Sequence, residues 1–114
     1  LTIARDGTLY VAQKLGLNWI VRVDPGGTMS TILDEFPVAG LAIDRDGTLI
    51  VADAGAGRIL RIDATGPRPH VAVLASNLGL LQALALGADG SIYIASSRTS
   101  PGAAADWRAY RLRP

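Results

Sequence analysis

The hydrophobic and polar positions of this chain follow one pattern three times. A short apolar run, an Asp-Gly pair and a second apolar run make up a twelve-residue phrase. Its copies read LTIARDGTLYVA, LAIDRDGTLIVA and LALGADGSIYIA, and they start at Leu1, Leu41 and Leu84. The starts lie 40 and then 43 residues apart. A period of this length is typical of solenoids, propellers and other repeat architectures.

Each phrase predicts a β-hairpin. Gly tolerates a positive φ and Asp can accept hydrogen bonds from its own backbone, so an Asp-Gly pair between two apolar runs predicts the hairpin turn. The three pairs are Asp6-Gly7, Asp46-Gly47 and Asp89-Gly90. The flanking runs are rich in Val, Ile, Leu and Tyr, as expected of strands.

A third strand is predicted after each hairpin, and a fourth strand follows twice. The third strands include Ile20, Ile59 and Ala109, and the fourth strands begin near Thr28 and His70. No ten-residue stretch keeps apolar residues at helical spacing between capping residues, so no helix is predicted. Four antiparallel strands in about 40 residues describe a β-propeller blade.

We therefore predict an all-β fold, a β-propeller segment of about three four-stranded antiparallel blades with the last blade incomplete. The blades are expected at residues 1–36, 37–79 and 80–114. The near-continuous apolar runs fit sheets that are covered on both faces. A flat β-meander or a β-sandwich is the alternative, but neither explains repeats this regular.

The strand count predicts a partner for the open ends of the segment. A propeller closes with about four to eight blades, so three blades leave two faces uncovered. We expect either the remainder of the same propeller or a homo-oligomer, in which a dimer gives six blades. Since Leu1 already lies inside the first phrase, we expect the chain to be part of a larger protein or to be processed.

The segment from Gly40 to Gly66, GLAIDRDGTLIVADAGAGRILRIDATG, resembles an NHL repeat. It equally resembles a blade of the gluconolactonase, or senescence-marker, superfamily. The shared features are Gly-Leu-Ala, the Asp-Gly turn, Val-Ala-Asp, a Gly-rich loop and two Arg-Ile steps. The resemblance implies a six-bladed propeller. It does not imply one activity, because such blades serve lactonases, lyases, ligand sensors and protein-binding modules.

Charge and composition narrow the function classes. The net charge is +1, and the basic residues form no cluster apart from Arg108, Arg111 and Arg113. Nucleic-acid binding needs a clustered positive face, so no nucleic-acid partner is predicted. No apolar run approaches the ~20 residues of a membrane span, so no membrane partner is predicted either. The chain has no Cys, which excludes disulfides and thiolate chemistry.

Strand direction predicts two rims with different loops. The Asp-Gly turns share one rim. The variable second-to-third strand loops, at residues 13–19, 53–58 and 96–107, share the other rim with the crossings from one blade to the next, at residues 36–40 and 77–83. Loops carry function on rigid scaffolds, so we expect a ligand or protein to bind at the variable rim. The candidate residues are Asn18, Trp19, Asp53, Arg58, Asn77, Gln82, Arg98, Asp106 and Trp107. For Asp53 and Arg58 the alternative is a brace of the Gly-rich loop, and for the two Trp residues it is packing.

One position of the third strand carries Arg in every copy, as Arg22, Arg61 and Arg111. A charge repeated with the fold predicts a repeated structural partner. We expect a carboxylate or a carbonyl of the adjacent blade.

The lactonase resemblance implies a divalent cation that is held by an Asp and an Asn just before the inner strand, with a Glu near the N-terminus. The matching positions here are Ala39 and Gln82. Ala39 has no donor atom, Gln82 offers a neutral oxygen, and the single Glu, Glu35, is predicted on an outer strand. No metal or cofactor is therefore predicted in these residues. A calcium-like cation is expected only in a complete parent protein.

Three further motifs resemble sites but favour plain structural roles. The stretch from Asp44 to Gly47 lacks the later ligands of a calcium loop, so it predicts a turn. The glycines from Gly55 to Gly57 precede no helix, so they predict a loop and no phosphate site. His70 has no accompanying nucleophile motif, so no catalytic residue is predicted.

The leading functional prediction is a β-propeller scaffold that binds a ligand or a protein at the variable rim and completes its ring by self-association. One alternative is a fragment of a lactonase-like, metal-dependent hydrolase whose catalytic residues lie outside these blades. Another is an isolated or engineered half-propeller with no activity beyond assembly.

Overall fold

The computed structural model describes residues 2–4, 6–13, 19–33, 37–44, 46–63, 69–98 and 106–112. Within these ranges the chain forms eleven strands in three antiparallel sheets and no helix. The all-β prediction, with three sheets and an incomplete third one, is confirmed.

Each sheet is one blade, and its strands follow one another in chain order. Blade 1 contains β1 (Thr2–Ile3), β2 (Leu9–Gln13), β3 (Trp19–Val23) and β4 (Met29–Leu33). Blade 2 contains β5 (Val38–Ile43), β6 (Leu49–Asp53), β7 (Arg58–Asp63) and β8 (His70–Ala75). Blade 3 contains β9 (Leu80–Leu86), β10 (Ile92–Arg98) and β11 (Asp106–Leu112).

The Asp-Gly turns join the first two strands of each blade. Gly7, Gly47 and Gly90 have φ values of 91°, 79° and 85°, a region that side chains with a Cβ rarely adopt. Asp6 and Asp89 each accept a hydrogen bond from the N–H two residues later, at 3.0 and 2.9 Å.

In the middle turn a different carboxylate accepts these bonds. Asp44 Oδ1 accepts the N–H groups of Asp46 and Thr48, at 2.9 and 3.0 Å. The prediction that Asp46 closes its own turn is therefore corrected. The first turn position can serve as acceptor here because blade 2 carries Asp44 where blades 1 and 3 carry Ala4 and Gly87.

Two apolar cores lie between the blades. We name the face that a blade turns toward the next blade its front face, and the opposite face its rear face. Tyr10, Ala12 and Ile20 on the front of blade 1 pack against the rear of blade 2. The rear residues of blade 2 in this core are Leu49, Val51, Leu60 and Ile62.

The second core repeats the first one blade further on. Ile50, Ala52 and Ile59 on the front of blade 2 pack against the rear of blade 3. The rear residues of blade 3 in this core include Ile92, Ile94, Tyr110 and Leu112. Strand alternation places these residues at the same positions as their counterparts in the first core. The two interfaces are therefore built from equivalent positions.

The inner strands β5 and β9 approach each other closely at Gly40. A Cβ on Gly40 would lie 2.7 Å from Leu84 Cβ and 3.0 Å from Leu84 N. Such distances are shorter than van der Waals contact, so this position requires glycine for steric reasons. The contact places the first half of β5 beside the second half of β9.

Blade 3 differs from the sequence-based expectation for its second-to-third strand connection. The stretch from Ser96 to Trp107 was expected to be one variable loop. Instead β10 and β11 continue into it, with Ser96 opposite Arg108 and Arg98 opposite Asp106. Arg98, Asp106 and Trp107 are thus strand residues. Pairing of the two strands satisfies backbone N–H and C=O groups that a loop would leave to solvent.

Candidate functional site

Two β-bulges interrupt the inner strands at the same end of blades 2 and 3. In blade 2, Val38 pairs with Asp53 and Gly40 pairs with Ala52, so Ala39 has no partner in the ladder. In blade 3, Ala95 pairs with Ala83 and Ser96 pairs with Leu81, so Gln82 is the extra residue. A bulge turns the side chain of its extra residue away from the regular alternation and is common beside active sites.

A depression of about 340 Å³ lies beside the two bulges. This volume is at the lower end of the range for small-molecule sites. The residues that line the depression are Pro37, Val38, Ala39, Ala54, Leu80, Leu81 and Gln82. None of them is charged, and Gln82 supplies the single polar side chain.

The donor set at the bulges does not fit a divalent cation. Ala39 has no side-chain oxygen, and Gln82 provides one neutral amide oxygen, whereas calcium prefers several carboxylate and carbonyl oxygens. Among the residues that the structure describes, no three His, Asp or Glu side chains converge as metal ligands. Ala39 and Gln82 therefore do not supply the Asp and Asn donors that the lactonase resemblance implies.

The Gly-rich loop beside the depression is held by a buried carboxylate. Asp53 Oδ1 accepts the N–H groups of Gly55 and Ala56 at 3.0 and 3.2 Å. Arg58 donates to Oδ2 from Nε at 3.1 Å and from Nη2 at 2.7 Å. All these hydrogen bonds join residues of the same loop, from Asp53 to Arg58. The contacts of Asp53 and Arg58 are thus those of a loop brace.

Two backbone hydrogen bonds connect the Gly-rich loop to the crossings that lead into and out of blade 2. Ala54 N–H donates to the carbonyl of Pro37 at 2.9 Å, and Leu78 N–H donates to the carbonyl of Gly57 at 3.1 Å. Gly57 has a φ of 65°, and a Cβ there would lie 2.6 Å from the carbonyl oxygen of Gly79. The loop therefore fixes the positions of Pro37 and Ala54, which are two walls of the depression.

Ser96 occupies the position of blade 3 that corresponds to Asp53 in blade 2. It is fully buried, and its Oγ has no hydrogen-bond partner among the described residues. It pairs with Leu81, which lines the depression. Among the described residues, the variable rim of blade 3 therefore has a buried hydroxyl without a hydrogen-bond partner, where blade 2 has a carboxylate that accepts four hydrogen bonds.

Two of the three recurring arginines, Arg61 and Arg111, contact carboxylates at the hairpin turns of the opposite rim. Arg61 Nη2 is 2.8 Å from Asp44 Oδ2, and Arg111 Nη2 is 3.1 Å from Asp89 Oδ2. The expected partner was a group of the adjacent blade, but each of these carboxylates belongs to the same blade as its arginine. The third strand pairs with the second strand of its own blade, which places each arginine beside the turn of that blade. The carboxylate partner therefore lies within the same blade.

Hydrogen bonds from the turns favour the charged form of two carboxyl groups. The N–H and hydroxyl of Thr8 lower the pKa of Asp6 below its ordinary value. The same groups of Ser91, followed by Arg111, lower the pKa of Asp89. Both carboxylates are exposed, and these contacts stabilise hairpin turns far from the depression.

The structure brings together part of the predicted rim set. Gln82 lines the depression, Asp53 and Arg58 brace its adjoining loop, and Asn77 has a left-handed φ of 58° in the crossing that precedes β9. Asn18 lies outside the described residues. Trp19, Arg98, Asp106 and Trp107 lie in strand ends at this rim, and their roles in binding stay predictions.

Sequence reasoning missed the apolar walls of the depression. Pro37, Ala54, Leu80 and Leu81 carry no chemistry that marks a site, and they become neighbours only when blades 2 and 3 pack. One signal was present in the sequence. Ala39 and Gln82 both lie two residues before the Leu that opens a repeat phrase, so equal placement in two adjacent blades was predictable.

The described residues form no helix with the length and apolar character needed to cross a membrane.

Two solved structures resemble the chain closely in fold. A gluconolactonase-like protein superposes with a TM-score of 0.63 and 22% identity, over 82% of this chain and 39% of its own. Virginiamycin B lyase from Staphylococcus aureus superposes with a TM-score of 0.65 and 18% identity, over 99% of this chain and 40% of its own.

No family model and no curated protein matches the sequence. The chain spans about 40% of the length of the two solved proteins. Both have propeller folds, and likeness at these identities shows fold alone. With three blade-like sheets in sequential order, the chain is a β-propeller segment.

Proposed function

We propose that this β-propeller segment binds a small, neutral organic molecule in the depression beside Ala39 and Gln82. The observation that carries the proposal is the pair of bulges at equivalent positions of two adjacent inner strands. A regular sheet has no need of a bulge at this place, and two of them re-aim side chains at one rim.

The lining of the depression supports a neutral ligand. Six of its seven residues have apolar side chains, and Gln82 adds a carboxamide that can both donate and accept hydrogen bonds. A charged ligand would lose its hydration without gaining an opposite charge, which is costly. A molecule with an apolar body and one carbonyl or hydroxyl group fits this lining best.

The first probe is δ-octalactone, whose apolar chain and single lactone group match this lining. The second probe is gluconolactone, the polyhydroxylated lactone that the name of one solved neighbour indicates. We would titrate each into the ¹⁵N-labelled chain and follow the backbone amide signals. The expected result is a saturable shift confined to residues around the depression, such as Ala39, Ala54 and Gln82. Shifts that spread evenly over the chain, or none with either probe, would contradict the proposal.

Two variants and a matched control locate the site. Ala39→Trp fills the depression and Gln82→Leu removes its amide, so both should weaken binding by about tenfold or more. Ala72→Trp introduces the same side chain at an exposed position of the outer strand β8 and should bind like the parent chain. Equal loss in all three variants would point to unfolding or to binding elsewhere.

Catalysis by a larger propeller that contains this segment is the second candidate function. It is favoured by the two neighbours, whose names are those of a lactonase-like protein and a lyase. The donor set at Ala39 and Gln82 argues against metal-assisted hydrolysis by these blades themselves. We expect calcium to leave the amide spectrum unchanged, and a specific calcium-dependent shift at Gln82 would favour the hydrolase.

A further inference from the structure

We infer that the front face of blade 3 binds the rear face of blade 1 from a second copy of this chain. Two copies arranged head to tail would then close a ring through two identical new interfaces. The inference does not depend on ligand binding in the depression. It rests on a comparison of the covered and uncovered faces of the three blades.

Two tyrosines at equivalent positions show which face lacks a partner. Tyr10 pairs with Arg22 in blade 1, and Tyr93 pairs with Arg111 in blade 3, so both point to the front of their blades. Tyr10 is 8% exposed because blade 2 covers it, whereas Tyr93 is 45% exposed. The front of blade 3 therefore presents a tyrosine of the kind that is buried inside the first interface.

The rest of the front face of blade 3 continues this likeness. Tyr93 and Ala95 stand where blade 1 has Tyr10 and Ala12. A shallow, largely apolar depression of about 270 Å³ runs over this side of the blade. Its lining residues include Ala83, Ala85, Tyr93, Ala95 and Ala109. Small side chains around one exposed ring leave room for the aliphatic side chains of an opposing sheet.

The rear face of blade 1 carries the aliphatic residues that such a front face would contact. They are Ile3, Leu9, Val11, Val21 and Val23, and none of them is a member of either core. Val21 is buried at 8% exposure within the single chain, and Leu9, Val11 and Val23 are half-buried. The equivalent residues of blade 2 are Ile43, Leu49, Val51, Leu60 and Ile62. The last four are members of the first core together with Tyr10, and Ile43 packs against this core. Ile3 is 61% exposed. The same pattern thus recurs at blade 1, where none of the described blades covers it.

A second copy satisfies both open faces at once. Each copy supplies one front face and one rear face, so two head-to-tail contacts leave neither face open. Head-to-tail contacts either close into a ring or propagate into filaments. Six blades lie within the range of closed propellers, about four to eight, and so we infer a dimer rather than a filament.

The test begins with the mass of the chain in solution, measured by light scattering over a wide concentration series. We expect a monomer–dimer equilibrium with a limit near 24 kDa, twice the mass of 11.9 kDa. A monomer at every concentration would overturn the inference and leave a blade of other sequence as the occupant. Continued growth beyond two copies would also overturn it.

Variants then identify the two faces. Tyr93→Asp on the front face and Val11→Asp on the rear face should each raise the dimer dissociation constant by about tenfold or more. Val73→Asp places the same charge on an exposed outer strand and should leave the constant unchanged. Circular dichroism checks that each variant folds. If Val11→Asp unfolds, Ile3→Asp replaces it, because Ile3 is the more exposed residue.

Mixing the two variants separates head-to-tail pairing from other arrangements. Each variant alone has a damaged residue in every interface, but a mixed pair keeps one interface between two undamaged faces. We expect the mixture of Tyr93→Asp and Val11→Asp to associate more tightly than either variant alone. No gain on mixing would overturn the head-to-tail arrangement, as would a dimer that only one of the variants weakens.

Discussion

Asp53 and Arg58 form an ion pair with one buried and one solvent-facing partner. The Asp53 carboxylate is 1% exposed and accepts two hydrogen bonds from the Arg58 guanidinium on the same oxygen. The second oxygen accepts two loop N–H groups. The Asp53 carboxylate therefore connects the Arg58 side chain to the backbone of the Gly-rich loop.

Removing this carboxylate should destabilise the chain considerably. Asp53→Ala leaves two N–H groups and Arg58 without their acceptor, so we expect a loss of about 3 kcal/mol in the free energy of unfolding. The control is Arg61→Ala, whose ion pair with Asp44 is more exposed and should contribute under about 1 kcal/mol. Urea unfolding measures both. Equal losses would contradict the importance assigned to the buried brace.

Adding one methyl group at Gly40 should disturb the packing of the inner strands. Gly40→Ala places a Cβ 2.7 Å from Leu84 Cβ, and overpacking of this kind costs about 1–3 kcal/mol. Gly26→Ala is the control, since its nearest contact is a side-chain oxygen of Asp24 at 3.4 Å. Thermal unfolding should show a clear decrease for Gly40→Ala alone. Similar decreases in both variants would disprove the steric explanation.

Acid should weaken the Asp-Gly hairpins of blades 1 and 3. Because the pKa values of Asp6 and Asp89 are lowered in the fold, their contribution to stability is present above the unfolded pKa. It is lost as the pH falls through the lowered pKa. Asp6→Asn/Asp89→Asn should therefore show a smaller decrease in urea midpoint on acidification than the parent chain.

Salt distinguishes the cause of this pH dependence. The largest contributions to both shifts are hydrogen bonds from turn N–H groups, and the contributions of Arg22 and Arg111 are smaller. Screening acts mainly on charges that face solvent, so added salt should leave most of the pH dependence in place. Its disappearance in high salt would assign the effect to the arginines instead.

The two equivalent tyrosines should differ in their contribution to the stability of the monomer. Tyr10→Ala opens a cavity in the first core, and we expect a loss of about 3 kcal/mol. Tyr93→Ala removes an exposed ring that lies 5.7 Å from the Arg111 guanidinium, so it should cost less than about 1 kcal/mol at concentrations where the chain is monomeric. Comparable losses there would show that Tyr93 is covered within the single chain.

The fold was predictable because its signals are local and are repeated. The Asp-Gly pairs predict the turns, the β-rich runs predict the strands, and the spacing of the copies predicts the blades. The blade boundaries at residues 1–36, 37–79 and 80–114 stay predictions. The extension of β10 and β11 to Arg98 and Asp106 was missed because strand pairing across a Ser- and Ala-rich stretch is weakly marked by propensity.

The candidate site was predictable in place but not in detail. The variable rim was the expected location, and Gln82 belonged to the predicted set. Its apolar neighbours Leu80 and Leu81 were not, because proximity across two blades leaves no trace in local sequence. Arg61 shows the same limit, since its charged partner was expected in another blade and lies in its own.

The sequence by itself determined the alternation of strands and turns, because backbone preferences of Gly, Asp and the β-branched residues act over a few positions. Only the tertiary structure decided which residues leave the ladder and which faces stay open. Ala39 and Gln82 are bulged, and Tyr93 is exposed while Tyr10 is buried. These outcomes depend on how whole blades pack against one another, and such packing joins residues about 40 positions apart.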